Sequence, residues 1–423
     1  MKKLLMTVLV SAILGGSFWY LFLRPAEKRT DNNLRNLRAL PYISVSSHPA
    51  DTSLTGVTVH IPEKAFEGYN LYTDEKHAYL IDMEGQAVQR WDFPTDNPEW
   101  EHVEYLGKGE ILANCNGEQI VKLDRDSKVI WSRPYQVHHD IAVDANGTIL
   151  VPIGTDPRLY RSRLVQFDSI LRLSGQGEIE GEWSSFSSFD RLRRLHRPLK
   201  LDTEPDITGI SSALKRFYFR RIRGLSARVH EIDKWFRAIV GLDKYDYYHL
   251  NTVEVLPETG LGKRDPRFAA GNILTCLRHV DMILILDRES GEIAWSWGPG
   301  ILDWPHMPTL LDNGTILVYD NGAHRTYSRV LELDPVSGEI VWEYRGDPPE
   351  AFYSKTRGSN QRLPNGNTLI CESERGRVFE VTPSGDVVWE FYPPDIRDGR
   401  RRLIYRMERI PPEKVENWLN VKK

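Results

Sequence analysis

The sequence contains few cysteines and little net charge. Three cysteines, Cys115, Cys276 and Cys371, occur in 423 residues, and each lies at the same place in a repeated apolar segment. Equivalent positions in different repeats lie too far apart for a disulfide bond, so we predict three core thiols. The net charge of −4 provides no field strong enough to collect nucleic acid. We therefore expect no nucleic-acid partner.

Long apolar runs are scarce too, with one exception at the N-terminus. Residues 4–23 carry no charge and are followed by Arg24 and Pro25. A helix of this length crosses a bilayer core of about 30 Å, and the run continues beyond the small residues expected at a signal-peptide cleavage site. We predict an uncleaved transmembrane anchor at residues 1–23 and a linker at 24–55. Basic residues flank the run on both sides, so the charge rule for membrane orientation does not decide its direction.

One pattern recurs along the rest of the chain. It consists of a turn such as Asn-Gly, a short apolar strand, an apolar segment that ends in Leu-Asp, a second turn with Gly, and a strand that ends in Trp. The six tryptophans that mark it are Trp91, Trp131, Trp183, Trp295, Trp342 and Trp389. Such short alternating strands between turn residues are antiparallel meanders, and their spacing is typical of propeller blades. We predict an all-β fold, a six-bladed β-propeller over residues 56–395 with its tryptophans packed between blades, and a C-terminal tail at 396–423.

A segment without this pattern separates the third and fourth blades, at residues 185–247. Between Phe186 and Tyr247, 14 lysines and arginines face 8 acidic residues, and Ile210–Leu242 has apolar residues at helical spacing. We predict a basic helical insertion with one or two amphipathic helices. A basic amphipathic helix contacts anionic lipid or a protein partner, and a solvated cap on the propeller is the alternative.

Histidines recur where the chain enters a blade. His139 and His306 each lie seven residues before the Asn-Gly turn of their blade, His249 occupies the corresponding place in the blade between them, and His102 is one position off in an earlier blade. Propeller active sites lie at the channel mouth, so we predict that these imidazoles share one site. The alternative is that they simply hydrogen-bond neighbouring blades.

The chemistry of this histidine set is open to more than one interpretation. Zinc is the first candidate for clustered imidazoles, but no carboxylate accompanies them at the same register, and Arg278 falls near them in the repeat. A guanidinium group disfavours a metal ion and pairs with the oxygens of sulfate or phosphate. Histidine can also be a nucleophile that forms a covalent intermediate. We expect no metal, and no quinone cofactor although some quinone propellers share the Gly and Trp repeat; a metal-dependent hydrolase is an alternative.

Five segments of the sequence resemble the arylsulfate sulfotransferase family. Members of this family are bacterial six-bladed propellers that move sulfuryl groups between phenols without a nucleotide sulfate donor. The segments are HHDI, HLNTVEVLP, LRHVDMILILD, HMPTLLDNGTILVYDNG and NQRLPNGNTLICE, and the likeness extends over residues 56–394. The resemblance implies that His306 is the nucleophile that becomes a sulfohistidine. It further implies that His139, His249 and Arg278 bind the sulfuryl oxygens and stabilise charge on the phenolic oxygen.

Further expectations follow from the same resemblance. Asn251 and His279 are expected to add hydrogen bonds to the substrate. His138 is one position out of register, so it is a less suitable substitute for His139. The substrates would be small phenols and aryl sulfates, and the propeller would lie on the periplasmic side of the inner membrane. The basic insertion, the expansion ETGLGKRDPRF and the missing counterpart of the family disulfide depart from the family pattern. A catalytically inactive, membrane-anchored propeller that acts as a binding or assembly module is the alternative.

Overall fold

The computed structural model describes residues 45–46, 49–74, 77–93, 100–115, 117–161, 163–203 and 244–419. The predicted membrane anchor and the predicted helices of Ile210–Leu242 lie outside these residues. In the part of the chain that the structure describes, no helix has the length and apolar character needed to span a membrane. The described residues divide into a propeller unit, within 45–156, 167–197 and 247–419, and an insertion unit, within 157–166, 198–203 and 244–246.

Within the described residues, six antiparallel sheets form the propeller unit, which confirms the predicted six-bladed fold. Strands are numbered β1 to β30 along the chain, and each blade runs from a first strand to a fourth. Blade 1 consists of Met407–Ile410 (β30), Tyr69–Asp74 (β2), His77–Ile81 (β3) and Ala87–Asp92 (β4). Blade 2 consists of His102–Gly107 (β5), Glu110–Cys115 (β6), Gln119–Leu123 (β7) and Val129–Arg133 (β8). Blade 3 consists of Ala142–Val143 (β9), Ile149–Gly154 (β10), Asp168–Leu173 (β13) and Ile179–Ser184 (β14).

The other three blades are consecutive in sequence. Blade 4 consists of Leu250–Val255 (β16), Ile273–Leu277 (β17), Met282–Leu286 (β18) and Ile293–Trp297 (β19). Blade 5 consists of Pro305–Leu310 (β20), Ile316–Asp320 (β21), Arg329–Leu333 (β22) and Ile340–Arg345 (β23). Blade 6 consists of Ser359–Arg362 (β24), Thr368–Glu372 (β25), Arg377–Val381 (β26) and Val387–Tyr392 (β27), with Gly56–His60 (β1) as a fifth strand beside β27. Short 3-10 helices lie at Pro266–Phe268, Arg278–Val280, Pro349–Ala351 and Ser373–Arg375.

The six first strands surround one cavity of about 250 Å³, the central channel of the propeller. Each of them contributes side chains to its lining, including Glu408, Glu104, Ala142, Glu254, Thr309 and Asn360 in blade order. Side chains placed at one height on these strands therefore face each other across the channel, whatever their separation in sequence.

The predicted C-terminal boundary of the propeller, at residue 395, is wrong. Strand β30 pairs with β2, with Tyr69 opposite Ile410 and Tyr72 opposite Met407, so the C-terminal segment supplies the first strand of blade 1. This pairing closes the ring and leaves no unpaired edge between the last and first blades. The sequence pattern did not reveal it because YRMERIPP carries neither the glycine turn nor the terminal tryptophan of the repeat. A hairpin of Ile396–Arg397 (β28) and Arg400–Arg401 (β29) precedes β30, and helix α3 (Pro412–Leu419) follows it.

The six repeat tryptophans join neighbouring blades, as predicted. In each blade the indole N–H donates a hydrogen bond to a backbone carbonyl of the next blade. The pairs are Trp91 to Gly109, Trp131 to Gly175, Trp183 to Gly291, Trp295 to Pro335, Trp342 to Pro383 and Trp389 to Met83, at 2.9–3.2 Å. The last of these bonds runs from blade 6 to blade 1, so the set forms a closed ring. A tryptophan ring fills the space between two sheets while its N–H finds a partner.

The three cysteines occupy equivalent core positions, which confirms the prediction from their spacing. Cys115, Cys276 and Cys371 lie on the second strands of blades 2, 4 and 6, and all three are buried free thiols. Burial raises the pKa of the Cys371 thiol to about 12. These side chains therefore behave as small apolar residues.

The insertion unit takes described residues from between blades 3 and 4 and also from inside blade 3. Arg158–Tyr160 (β11) and Arg163–Gln166 (β12) form a hairpin between β10 and β13, and β12 pairs in parallel with Lys244–Asp246 (β15). The short helix α2 (Lys200–Thr203) belongs to the same unit, whereas α1 (Phe189–Leu192) belongs to the propeller unit. The hairpin was missed because the sequence prediction joined this stretch to the blade repeat.

Candidate active site

The structure brings His139, His249, Arg278 and His306 to one end of the channel. His139 and His249 lie just before the first strands of blades 3 and 4, Arg278 directly follows β17, and His306 is the second residue of β20. The ring centroids of His139 and His249 are 4.8 Å apart, and those of His249 and His279 are 5.0 Å apart. Chain segments from three blades therefore converge on one group of imidazoles.

Trp304 links Arg278 to His306. The Arg278 guanidinium lies over the Trp304 ring, 4.5 Å from its centroid, and also contacts Nε2 of His279 at 3.0 Å. The backbone of Trp304 is held in turn by Asp281, whose carboxylate accepts its N–H at 2.9 Å. Stacking on an aromatic face suits the planar guanidinium and restricts its orientation.

The hydrogen bonds of Asn321 determine which nitrogen of His306 carries the proton. Both hydrogens of the Asn321 amide are used, because Nδ2 donates to the carbonyls of Ser354 at 2.6 Å and Arg357 at 2.8 Å. The amide oxygen therefore faces His306 Nδ1, 2.6 Å away, and can only accept. Nδ1 must then carry the hydrogen, which is shared with the Trp304 carbonyl at 3.2 Å.

The opposite nitrogen of His306 is consequently the one with a free lone pair. Among the residues that the structure describes, none hydrogen-bonds Nε2 of His306. The side chain is only 2% exposed, so its direction is fixed by packing as well as by Asn321. This is the arrangement expected of an imidazole nucleophile held in one tautomer.

Burial and the charge of Arg278 keep two of the imidazoles neutral. Burial is the larger cause and the Arg278 charge the second, and together they hold the pKa values of His306 and His249 well below the ordinary value. Removing a cation from water costs free energy, and a neighbouring cation adds repulsion. Both imidazoles are therefore unprotonated at neutral pH, which is the form that attacks or accepts a proton.

The backbone around the site adopts an uncommon conformation. His139 and His249 have positive φ angles of 63° and 55°, and His306 lies between Trp304 at 58° and Met307 at 47°. Left-handed backbone costs a non-glycine residue about 1–3 kcal/mol and concentrates at functional sites. The surrounding blades supply the stability that keeps these residues in place.

His139 has a carboxylate partner that the sequence did not reveal. The carboxylate of Glu101 accepts the backbone N–H of His139, and its other oxygen lies 3.5 Å from His139 Nδ1. Both side chains are buried. The Tyr405 ring stacks on His139 at 5.9 Å with an interplanar angle of 8°.

The remaining histidines and the asparagine singled out in the sequence differ in their distance from this group of imidazoles and in their contacts. Asn251 is fully buried and donates to the Pro305 carbonyl at 3.0 Å, so its visible role is to hold the strand that carries His306. His138 lies closer to the site than its register indicated, with its ring 4.8 Å from that of His139. His102 lies deeper, with Nε2 3.4 Å from Glu104.

Sequence reasoning missed Glu101, Asn321, Trp304 and Tyr405. Glu101 directly precedes His102, the histidine that was one position out of register. The one-residue offset of His102 therefore indicated that Glu101 occupies the matching position of its blade. Asn321 belongs to the Asp-Asn-Gly turn after β21, where an asparagine is expected for turn geometry alone. Tyr405 lies in the segment assigned to the tail, and no spacing connects it to the blades.

Comparisons with known proteins identify a family over most of the chain. Two family models described as arylsulfotransferase (ASST) match it, one over residues 63–306 and the other over residues 222–393. The first match spans more than half of the chain and includes His139, His249, Arg278 and His306. No curated protein matches the chain.

Solved structures show only distant likenesses. A protein of unknown function from Bacteroides caccae has 15% identity and a TM-score of 0.49, over 81% of this chain and 98% of that one. Virginiamycin B lyase from Staphylococcus aureus has 13% identity and a TM-score of 0.41, over 84% and 88%. BamB from Moraxella catarrhalis has 12% identity and a TM-score of 0.34, over 79% and 76%. At these identities and TM-scores the likeness does not extend to function.

Proposed function

The chain belongs to the arylsulfotransferase family, and on this premise we propose that it transfers a sulfuryl group from an aryl sulfate to a phenol through a covalent intermediate on His306. The observation that carries the proposal is the hydrogen bond between Asn321 and His306 Nδ1. It leaves the Nε2 lone pair of a neutral imidazole beside Arg278, and the sulfur of an aryl sulfate is the electrophile that this pair of groups suits.

In the first step, the Nε2 lone pair of His306 attacks the sulfur atom as the bond from sulfur to the aryl oxygen breaks. The aryl oxygen leaves with the electron pair of that bond, and the sulfuryl group remains on Nε2. His306 acquires positive charge in this step, and its Nδ1–H is already directed at two carbonyl oxygens, those of Asn321 and Trp304. Arg278 supplies positive charge for the sulfuryl oxygens, as donors do in phosphoryl transfer.

In the second step, a phenolic acceptor takes the place of the departed phenol. Its oxygen attacks the sulfur, the bond from nitrogen to sulfur breaks, and the electron pair returns to Nε2. The phenolic proton passes to a neighbouring imidazole. His306 returns to its starting neutral tautomer because the electron pair is back on Nε2. No step requires an oxidant, a reductant or a nucleotide.

The test is covalent labelling with an aryl sulfate in the absence of acceptor. Mass spectrometry of the wild-type protein is expected to show one added sulfuryl group on a histidine peptide containing His306. His306→Ala is expected to lose the label and turnover entirely, because no other group supplies the nucleophile. The control is His77→Ala, a histidine on the third strand of blade 1, which is expected to label normally. Undiminished labelling of His306→Ala would rule out this nucleophile, and metal analysis of the same protein tests the hydrolase alternative.

A further inference from the structure

We infer that Glu101 is a positioning residue that holds His139 as the acid and base for the phenolic oxygen. The inference rests on the proposed function, because it concerns the proton that accompanies sulfuryl transfer. Each aryl oxygen that leaves must gain a proton, and each phenol that attacks must lose one. The site therefore needs one group that can carry a proton between the two steps.

The contacts of Glu101 restrict His139 at two points. One carboxylate oxygen accepts the backbone N–H of His139, and the other lies 3.5 Å from its Nδ1. The first contact holds the backbone in its left-handed conformation, with φ of 63°. The second directs Nδ1 toward the carboxylate, so Nε2, on the other side of the ring, is the nitrogen that we assign to the proton transfer.

Glu101 is itself fixed by blade 2. Its backbone N–H donates to the carbonyl of Asn114 at 3.1 Å, and the Asn114 amide lies 3.4 Å from the Glu101 carboxylate. The side chain of Glu101 is 5% exposed and that of Asn114 is fully buried. A carboxylate placed in this way cannot turn to solvent, so its negative charge acts on His139.

Two other imidazoles of the site, those of His306 and His249, are less suited to carry the proton. His306 becomes the sulfuryl carrier, and the Arg278 charge opposes protonation of both His306 and His249. His139 differs because a buried carboxylate faces it. Burial raises the pKa of a carboxyl group, yet the proximity of His139 outweighs this effect and the pKa of Glu101 lies below its ordinary value. Glu101 is therefore held in its ionised form beside His139.

The proton follows a closed path under this inference. Protonated His139 donates from Nε2 to the aryl oxygen as that oxygen leaves sulfur, and His139 becomes neutral. The acceptor phenol then gives its proton to the same nitrogen as it attacks the sulfur on His306. Glu101 remains ionised throughout, and it stabilises the imidazolium as the buried aspartate of a serine protease does.

The experiment compares two donors that differ in their need for a proton. The leaving oxygen of 4-nitrophenyl sulfate forms a stable anion, whereas phenyl sulfate releases a much more basic oxygen. In Glu101→Gln, single-turnover labelling by phenyl sulfate is expected to slow by about 100-fold, the usual range for losing general acid catalysis, and labelling by 4-nitrophenyl sulfate by less than tenfold. Glu101→Asp, which keeps the charge, is expected to recover part of the loss with phenyl sulfate.

The matched control is Asp168→Asn, which changes another buried carboxylate, 3.6 Å from His138. Its ratio of rates for the two donors is expected to equal that of the wild type. Equal slowing of both donors by Glu101→Gln would overturn the inference, because lost structure affects both alike. If Glu101→Gln fails to fold, the donor ratio of Glu101→Asp decides, and a wild-type ratio contradicts the inference. A wild-type protein that labels with neither donor would instead refute the proposed function.

Discussion

Two levels of the same channel contain buried titratable groups, and burial acts on them in opposite directions. The upper level holds the imidazoles of His249 and His306 beside Arg278. The lower level holds the carboxyl groups of Glu104, Glu254 and Glu408, which line the cavity of about 250 Å³. Burial lowers the pKa values of the imidazoles, and it raises the pKa of Glu254 to about 8 and those of Glu104 and Glu408 to about 7.

The comparison shows that one environment favours the uncharged form of both kinds of group. For an imidazole the uncharged form is the reactive one, because it has a lone pair. For a carboxyl group the uncharged form has lost its capacity to attract a cation. The same burial therefore favours the reactive form of the histidines in the upper level and the uncharged form of the carboxyl groups in the lower level.

Asp140 and Arg406 form an ion pair in the lining of the same cavity. Asp140 directly follows His139, and it accepts hydrogen bonds from Arg406 at 2.9 Å and from the backbone N–H of Val253 at 3.0 Å. The Arg406 charge also lowers the pKa values of Glu104, Glu254 and Glu408, but burial outweighs it in all three. A buried ion pair needs further hydrogen bonds to offset the loss of hydration, and Asp140 has them.

The comparison is tested most strongly by removing the charge of the upper level. Arg278→Met is expected to lower the rate of sulfuryl transfer by about 10³-fold, since it removes the main charge facing the sulfuryl oxygens. The same change removes the second cause of the lowered pKa values of His306 and His249. Both pKa values then rise, so the rate is expected to decline at a higher pH than in the wild type on acidification. The measurement is the single-turnover rate against pH.

Two controls separate charge from geometry in this experiment. Arg278→Lys keeps the charge but not the planar fork, so its rate is expected to fall while its acid limb stays near that of the wild type. Arg267→Met changes an exposed arginine paired with Asp265, and it is expected to leave the profile unchanged. An acid limb that does not move in Arg278→Met would show that the Arg278 charge does not control the imidazoles.

A smaller effect is expected from releasing the tautomer of His306. Asn321→Leu removes the 2.6 Å contact with Nδ1 but leaves the Trp304 carbonyl at 3.2 Å, so the proton is held less firmly. We expect the labelling rate to fall by about 10- to 100-fold, the equivalent of one oriented hydrogen bond. Nitrogen-15 NMR of the histidine is expected to show Nδ1–H alone in the wild type and a mixture of tautomers in the variant.

The control for that variant is Asn367→Leu. Asn367 is another buried asparagine, and its Nδ2 contacts the Lys64 carbonyl at 2.8 Å and Glu380 at 2.7 Å. This change is expected to lower the melting temperature as Asn321→Leu does, while the tautomer of His306 and the rate per folded molecule stay as in the wild type. An unaltered tautomer in Asn321→Leu would contradict the assignment of Asn321.

The blades were predictable from sequence because each repeat carries its own signals. A turn, an alternating strand and a terminal tryptophan identify a blade locally, and the tryptophan bonds between blades follow from that repetition. Strand β30 was not predictable in this way. It completes blade 1 from the opposite end of the chain, and its partner β2 is specified by ring closure rather than by any local pattern.

The site was predictable where residues recur and hidden where they act singly. His139, His249 and His306 stand at matching places in three blades, so alignment of the repeats revealed them. Glu101 occurs at the entrance of blade 2 only, and its role depends on its distance to His139 at the entrance of blade 3. Asn321 lies in the turn after β21, and its role depends on contacts with His306 and with the segment that leads to blade 6. Tyr405 lies on the C-terminal segment that closes the ring of blades. Contacts between different repeats leave no periodic trace in sequence.

The smallest effect on activity is expected in the lower level, at Glu254, where stability changes instead. In the folded protein burial raises the Glu254 pKa from 4.5 to about 8, so the folded state holds a proton that the unfolded state has released over this interval. The free energy of unfolding must then decrease as pH rises from about 4.5 to 8. Glu254→Gln cannot ionise, and a change of one in pKa corresponds to about 1.4 kcal/mol, so the variant is expected to equal the wild type near pH 5 and to exceed it by about 4 kcal/mol near pH 9.

Urea unfolding at pH 5, 7 and 9 measures this difference, with the exposed Glu289→Gln as the control whose curve should parallel the wild type. The result bears on both levels of the channel, because the same burial is invoked for both. If the free energies of unfolding of the wild type and of Glu254→Gln change with pH in parallel, the Glu254 carboxyl group ionises as it does in water. Water would then reach this part of the channel. Burial would then no longer account for the lowered pKa values of His249 and His306, and the Arg278 charge would have to account for them alone.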